Sequence, residues 1–284
     1  MGTGRRRGSH RSCRFPRSSS SSGRSSLPPR ALRPVGVALV DKPAGPSSFA
    51  IVGAVRRLTG ARTGHTGTLD PFATGLLVVL SGAATRLAAC FVGLDKQYVT
   101  DVDLTSTTTT GDPEGESLES HAAPSAEELD ASLARLRGEV ELPIPAASAV
   151  KIGGERAYKL ARRGVAVEMP LRRSHVYALD VISYNGQTAR LSLHVGSGTY
   201  VRAIATALGG HCATLRRTAV GPFSVDEAEL LDPRAAHESG AEAPTLIPIR
   251  AALDRLSADA VARVPHTVVT GVLALAEQGG GTAA

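Results

Sequence analysis

The chain has 284 residues and is 42% hydrophobic, enough for one large domain or two modest ones with a real core. No stretch approaches the roughly 18 consecutive apolar residues of a membrane span. The three cysteines, Cys13, Cys90 and Cys212, are too scattered for a disulfide framework or a zinc spacing, and a reducing cytoplasm is the expected compartment. The net charge of +6 belongs to one end. Residues 1–34 hold nine of the 32 basic residues and no acid, which leaves 23 basic against 26 acidic residues, a net of −3, in the remainder.

Residues 1–34 are Arg, Ser, Gly and Pro with little apolar content, and they are expected to stay disordered. Three readings are open for them: an RNA-attracting arm, a translation start placed too early, or an organellar transit peptide. Order is expected from Val35. Val35–Val40 reads as a short strand and Asp41–Ser48 as a turn. Ser47 or Ser48 caps a helix to about Leu58, with Ile51, Val55 and Leu58 along one side. Thr59–Gly75 reads as loop, Leu76–Leu80 as a buried strand and Tyr98–Leu104 as a half-exposed strand.

Gly111–Pro124 is polar and turn-rich. Ser125 and Glu128 form a capping box before a helix through Leu129, Leu133 and Leu136. Pro143–Lys151 reads as loop and Ala157–Arg163 as helix. Val176–Tyr184 and Thr188–Val195 read as a hairpin around Asn185-Gly186-Gln187, followed by a helix from Tyr200 to about Leu208. From Glu238 the chain is rich in Ala, Gly and Pro, with one amphipathic stretch over Leu246–Val264. Strands and helices alternate without βαβ regularity. The expected class is α+β, with a mixed, largely antiparallel sheet flanked by helices and loops.

The chemistry concentrates in Gly64-His65-Thr66-Gly67-Thr68-Leu69-Asp70-Pro71-Phe72-Ala73-Thr74-Gly75-Leu76-Leu77. One carboxylate, Asp70, stands among glycines that let the backbone turn sharply and a flat ligand come close. Pro71 biases Asp70 toward an extended conformation. Taken alone, an Asp-Pro pair is also an ordinary turn starter. No P-loop, dinucleotide fingerprint or HExxH motif accompanies it.

The whole string resembles the catalytic loop of the TruB family of tRNA pseudouridine synthases, which reads roughly G-H-x-G-x-L-D-P-x-A-x-G-x-L. Further segments resemble that family in the same order. They are Asp41-Lys42-Pro43 with Gly45 and Ser47-Ser48; Asp95-Lys96-Gln97-Tyr98; Thr108–Asp112 with Gly115; Pro145 with Ser148-Ala149-Val150-Lys151, Gly154, Ala157-Tyr158 and Ala161-Arg162; and Gly198-Thr199-Tyr200-Val201-Arg202. Together they run from Val35 to Phe223.

The resemblance implies the pseudouridine synthase fold and isomerisation of uridine 55 in the tRNA T-loop, with no cofactor and no metal. The N1–C1′ bond breaks, the uracil rotates while bound, and C5 bonds to C1′. It implies a flipped target base held by stacking and edge contacts. Asp70 is then the nucleophile, at C1′ or C6, and Arg202 the cation that keeps it charged. Tyr98 would stack on the uracil and Tyr200 form a pocket wall. His65 would stack where the base left the loop or contact its phosphate. Lys42 would touch phosphate or tie the first strand to the catalytic loop. Asp112 is placed one layer behind the reacting groups, and Lys151 and Arg162 are candidates for phosphate contact. The expected partner is the T-arm of tRNA, with no membrane and a monomeric protein.

Two other RNA readings stand beside this one: a synthase with another RNA target, and a non-catalytic tRNA-folding module. A glycoside hydrolase would need a second carboxylate, for which Asp112 is the only plausible partner. The resemblance also breaks in places. Val195-Gly196-Ser197-Gly198 lacks a basic residue at Ser197, Thr206-Ala207-Leu208-Gly209 lacks an acid, and the chain is several residues short between Leu208 and Leu215-Arg216-Arg217-Thr218. The expected division is a disordered extension over 1–34, a catalytic domain over 35–235, and a C-terminal segment over 236–284 resembling a truncated or vestigial PUA-like module.

Overall fold

The computed structural model describes residues 33–148, 150–157, 163 and 168–279. Residues 158–162 of the expected helix over 157–163, with the candidate Arg162, lie outside the described residues, as does the extension up to residue 32.

In chain order the first elements are β1 (Gly36–Lys42), α1 (Ser48–Thr59), β2 (Thr63–His65), β3 (Thr74–Ser81) and α2 (Ala88–Val92). Then come β4 (Lys96–Asp103), the small hairpin β5 (Ser106–Thr108) and β6 (Ser117–Ser120), α3 (Ala126–Arg135) and β7 (Gly138–Pro143). A second small hairpin follows, β8 (Lys151–Ile152) and β9 (Glu155–Arg156), and then β10 (Leu171–Tyr184), β11 (Thr188–Val195), α4 (Val201–Ala207) and β12 (His211–Val220). The main sheet runs β1-β3-β12-β4-β11-β10-β7, with β2 on β3. Its pairings are antiparallel except β3 with β12 and a short parallel bridge from β1 to Glu229–Leu230.

The central stretches Val37–Val40 of β1 and Leu76–Leu80 of β3 are apolar because both of their faces are covered. Val37, Leu39, Leu76, Val78 and Leu80 pack on one side with α2 and the C-terminal helices. Ala38, Val40, Leu77 and Val79 pack on the other against Ile51 and Val55 of α1. Burial of Ile51 and of Val55 contributes about 1.5–3 kcal/mol each. Ser47 caps α1, its hydroxyl accepting from Ala50 N at 3.2 Å. At the other end of the sheet Val102, Leu179, Leu191 and Leu193 pack with Leu129 and Leu133 of α3, whose Ser125–Glu128 capping box is formed. α4 and its C-cap Leu208 add Val201, Ile204, Ala205 and Leu208 to the same cluster, a spacing that lays one helical face on the sheet.

Two parts of the sequence reading change. Thr63–His65, inside the expected loop, pairs with β3. His211–Val220 is a central strand, although Arg216 and Arg217 interrupt its apolar pattern. The segment from 236 onward has no core of its own among the described residues. Ile249, Leu253, Ala260, Val269 and Val272 lie in one cluster with Val37 and Leu39 of β1.

Candidate active site

Asp70 stands on the loop between β2 and β3, and two buried side chains fix that loop. Ser48 Oγ donates to Leu69 O and accepts from Leu69 N, both at 2.8 Å. Lys42 is fully buried, and its Nζ donates to Pro43 O, Pro71 O and Ala73 O at 2.8, 3.0 and 2.7 Å. All three ammonium donors are thereby used. In the structure these bonds link the end of β1 to the catalytic loop, the arrangement of the second of the two roles expected for Lys42. Burial pulls its pKa down to about 8, although Asp70 opposes the fall.

The loop leaves through Gly75, with φ +100°. A Cβ there would stand 2.2 Å from Arg217 O and 2.7 Å from Arg217 N of β12, so no side chain fits. Arg217 is also buried. It donates from Nε to Leu76 O at 2.7 Å and from Nη2 to Gly67 O at 3.0 Å. Sequence reasoning missed this support. Adjacent strand residues point to opposite faces, and Arg216 pairs bidentately with Asp41 at 3.1 and 2.8 Å.

Arg202, 3% exposed, brings the distant parts together. Its Nε meets Asp70 Oδ2 at 2.9 Å and its Nη2 donates to Asp70 Oδ1 at 3.2 Å. Nη2 also reaches Ala147 O at 2.9 Å, while Nη1 reaches Thr110 O at 2.8 Å and Asp112 Oδ2 at 3.0 Å. The guanidinium thus makes three hydrogen bonds and two further close ion-pair contacts. Helix α4 supplies the placement, because the residue after Val201 is turned from the core face toward the loop. Burial pushes the Asp70 carboxyl above its ordinary value; Arg202 opposes this and Asp112 adds to it. The Asp70 side chain remains 31% exposed, whereas that of Asp112 is 4% exposed. Asp112 therefore neutralises the far side of Arg202 and cannot flank a substrate bond, which removes the two-carboxylate arrangement a glycoside hydrolase needs.

Asp70 opens into a cleft of about 320 Å³ that Tyr98, Tyr200, Arg202 and Leu215 also line. Tyr98 points to the same face of the sheet as Arg217, its partner across β12. Tyr200 immediately precedes α4. His65 stands edge-on to Phe49, with ring centroids 5.6 Å apart, and its Nδ1 accepts from Gly67 N at 3.3 Å. Burial and the nearby Arg217 cation hold its pKa below the usual histidine value, so the ring is neutral near pH 7. Phe49, absent from the sequence reading, is 68% exposed. Lys151 is exposed on β8 and does not line this cleft.

The position expected to be basic, Ser197, is filled differently. Ser197 Oγ donates to Val92 O at 2.6 Å and accepts from Lys96 Nζ at 3.2 Å. Lys96 also donates to Val92 O and Leu94 O, and burial lowers its pKa to about 8. Chemically, the cleft presents one ionisable carboxylate, oriented by a buried cation, beside an aromatic ring.

A profile of the TruB family pseudouridylate synthase N-terminal domain matches residues 56–201. The chain is 43% identical over 220 residues to tRNA pseudouridine synthase B of Mycobacterium sp. (strain KMS), covering 71% of this chain and 74% of the relative. It is 44% identical over 229 residues to tRNA pseudouridine synthase B of Xanthomonas axonopodis pv. citri (strain 306), covering 77% and 74%. Among solved structures, a chain of the Cbf5-Nop10-Gar1 complex superposes with a TM-score of 0.54 at 28% identity, over 69% of this chain. The match spans 52%, about half, of that solved chain.

Proposed function

Because this chain belongs to the TruB family of pseudouridylate synthases, we propose that it is a tRNA pseudouridine synthase that isomerises uridine 55 of the T-loop, with Asp70 as the nucleophile. The observation that carries this reading is the bidentate pair of Asp70 with the buried Arg202 at the floor of the cleft. The reaction needs an ionised carboxylate in a site that excludes water, and burial alone opposes ionisation. Arg202 supplies the compensating charge and, through its planar fork, the orientation. The uracil flips into the cleft, stacks on Tyr98 and is attacked at C1′ or C6. The N1–C1′ bond then breaks, the ring turns and C5 bonds to C1′. C5 gives up its proton and N1 gains one, so substrate and product are isomers.

In this reading His65, neutral and edge-on to Phe49, stacks where the base leaves the RNA loop or contacts its phosphate. The nine arginines of residues 1–34 add sequence-independent attraction for phosphate. Deleting them is expected to weaken tRNA binding and leave chemistry at saturating RNA intact; unchanged affinity would remove this arm from the proposal. The direct test maps pseudouridine by base on an unmodified tRNA transcript. We expect a single new pseudouridine at position 55, and none in a transcript with cytidine there. Product at other uridines alone, or in another RNA class alone, would overturn the assignment.

A further inference from the structure

We infer that Arg172 is the phosphate contact of the cleft, binding the backbone of the RNA strand that delivers the target nucleotide. This rests on the tRNA pseudouridine synthase reading above. Among the described residues four cationic side chains line the cleft: Lys96, Arg172, Arg202 and Arg217. Three of them are engaged within the protein. Arg202 is engaged with Asp70, Asp112, Thr110 O and Ala147 O. Arg217 holds the backbone of Gly67 and Leu76, and Lys96 holds Val92 O, Leu94 O and Ser197 Oγ. These three are also buried. Arg172 is exposed, and among the described residues no carboxylate, hydroxyl or carbonyl accepts from its guanidinium.

Its placement is built by the fold. The turn after β11 is tied to β10 by Gly196 N donating to His175 O at 2.8 Å. The Arg172 guanidinium lies over Gly198 of that turn, whose φ is +82°. A Cβ on Gly198 would stand 2.1 Å from Arg172 Nη2, so a side chain there would push the guanidinium away. The next residue, Arg173, pairs with Glu141 at 3.0 Å and does not line the cleft. Strand alternation thus sends one arginine of the pair to the cleft and the other to a carboxylate. A free, planar fork of donors beside a site that takes a nucleotide fits a phosphate bidentately.

The test measures binding of an unmodified tRNA transcript against salt concentration for the full chain, Arg172→Gln, Arg172→Lys and Arg173→Gln. Arg172→Gln is expected to weaken binding about tenfold near 0.1 M salt, as for one lost charge-assisted hydrogen bond. The slope of log K against log salt should shrink in magnitude by about 0.7–0.9, the value for one phosphate. The loss should fall on KM more than on kcat. Arg172→Lys should keep the slope, and Arg173→Gln should match the unsubstituted protein. A slope unchanged in Arg172→Gln overturns the inference. If the unsubstituted protein makes no pseudouridine in tRNA, the functional reading fails; if it does and Arg172→Gln keeps its slope, this inference alone fails.

Discussion

Replacing Arg202 with Met tests the electrostatic core of the site. Met fills a similar volume but leaves Asp70 and Asp112 facing each other without their cation. It also strips donors from two backbone carbonyls, Thr110 O and Ala147 O. Breaking a buried ion pair from one side destabilises by about 3–5 kcal/mol. For a folded body of about 250 residues, each kcal/mol moves Tm by roughly 2–4 °C. The expected fall is therefore roughly 6–20 °C at pH 7.5.

The sign of its pH dependence follows from the Asp70 carboxyl, which burial raises above its ordinary value even with Arg202 present. Without Arg202 it rises further, and the folded state binds a proton more readily than the unfolded chain. Stability from such a group is present below the unfolded pKa and is lost as pH rises through the folded pKa. The Tm difference between Arg202→Met and the unsubstituted protein should accordingly narrow as pH falls from about 7.5 toward about 5.5. Calorimetric or fluorescence melting across that range measures it. A difference of constant size at every pH would refute the claim that uncompensated carboxylate charge is the main loss.

Three further outcomes follow from the same geometry. Lys42→Met should lower kcat by about an order of magnitude and leave tRNA affinity and its salt slope intact, since the Lys42 ammonium bonds the backbone carbonyls of Pro43 and of the catalytic loop; single-turnover rates and binding isotherms separate the two. The acid limb of kcat/KM should lie above the ordinary aspartate value of 3.8, with activity lost as pH falls through the raised pKa of Asp70. Asp112→Asn should move that limb to lower pH, because Asp112 helps to raise it; a limb that stays put would contradict the coupling. Gly75→Ala should destabilise by more than about 3 kcal/mol, since the new methyl meets the backbone of Arg217 at a positive φ; a melting temperature within a degree or two of the unsubstituted protein would show that β12 can yield.

Local chemistry was legible in the sequence wherever neighbours along the chain decide the structure. Ser125 and Glu128 announce α3, Ser47 opens α1, and Asn185-Gly186 turns the hairpin, with Asn185 Oδ1 accepting from Gln187 N and Thr188 N. The unbroken apolar run of β3 records burial on both faces. β12 stayed hidden because its two arginines are satisfied from elsewhere in the chain, by Asp41 and by the backbone of Gly67 and Leu76. Periodicity cannot register a charge whose partner is more than a hundred residues away. The Asp70–Arg202 pair spans 132 residues and was accessible through motif resemblance alone. Resemblance leaves Lys42 open between two roles, and no sequence pattern reveals that its side chain is buried. Arg172 carried no motif, and only the pairing of β10 with the turn after β11 makes it visible.

The most direct test of the central claim sets Asp70→Asn beside the unsubstituted protein on one unmodified tRNA transcript, reading pseudouridine at position 55 and binding affinity together. Asn keeps the shape of the side chain, and Asp112 still neutralises Arg202, so the variant should fold and bind tRNA. We expect it to form no pseudouridine while the unsubstituted protein converts the site. Conversion by Asp70→Asn at a rate within a few-fold of the unsubstituted protein would contradict the assignment of Asp70 as the nucleophile.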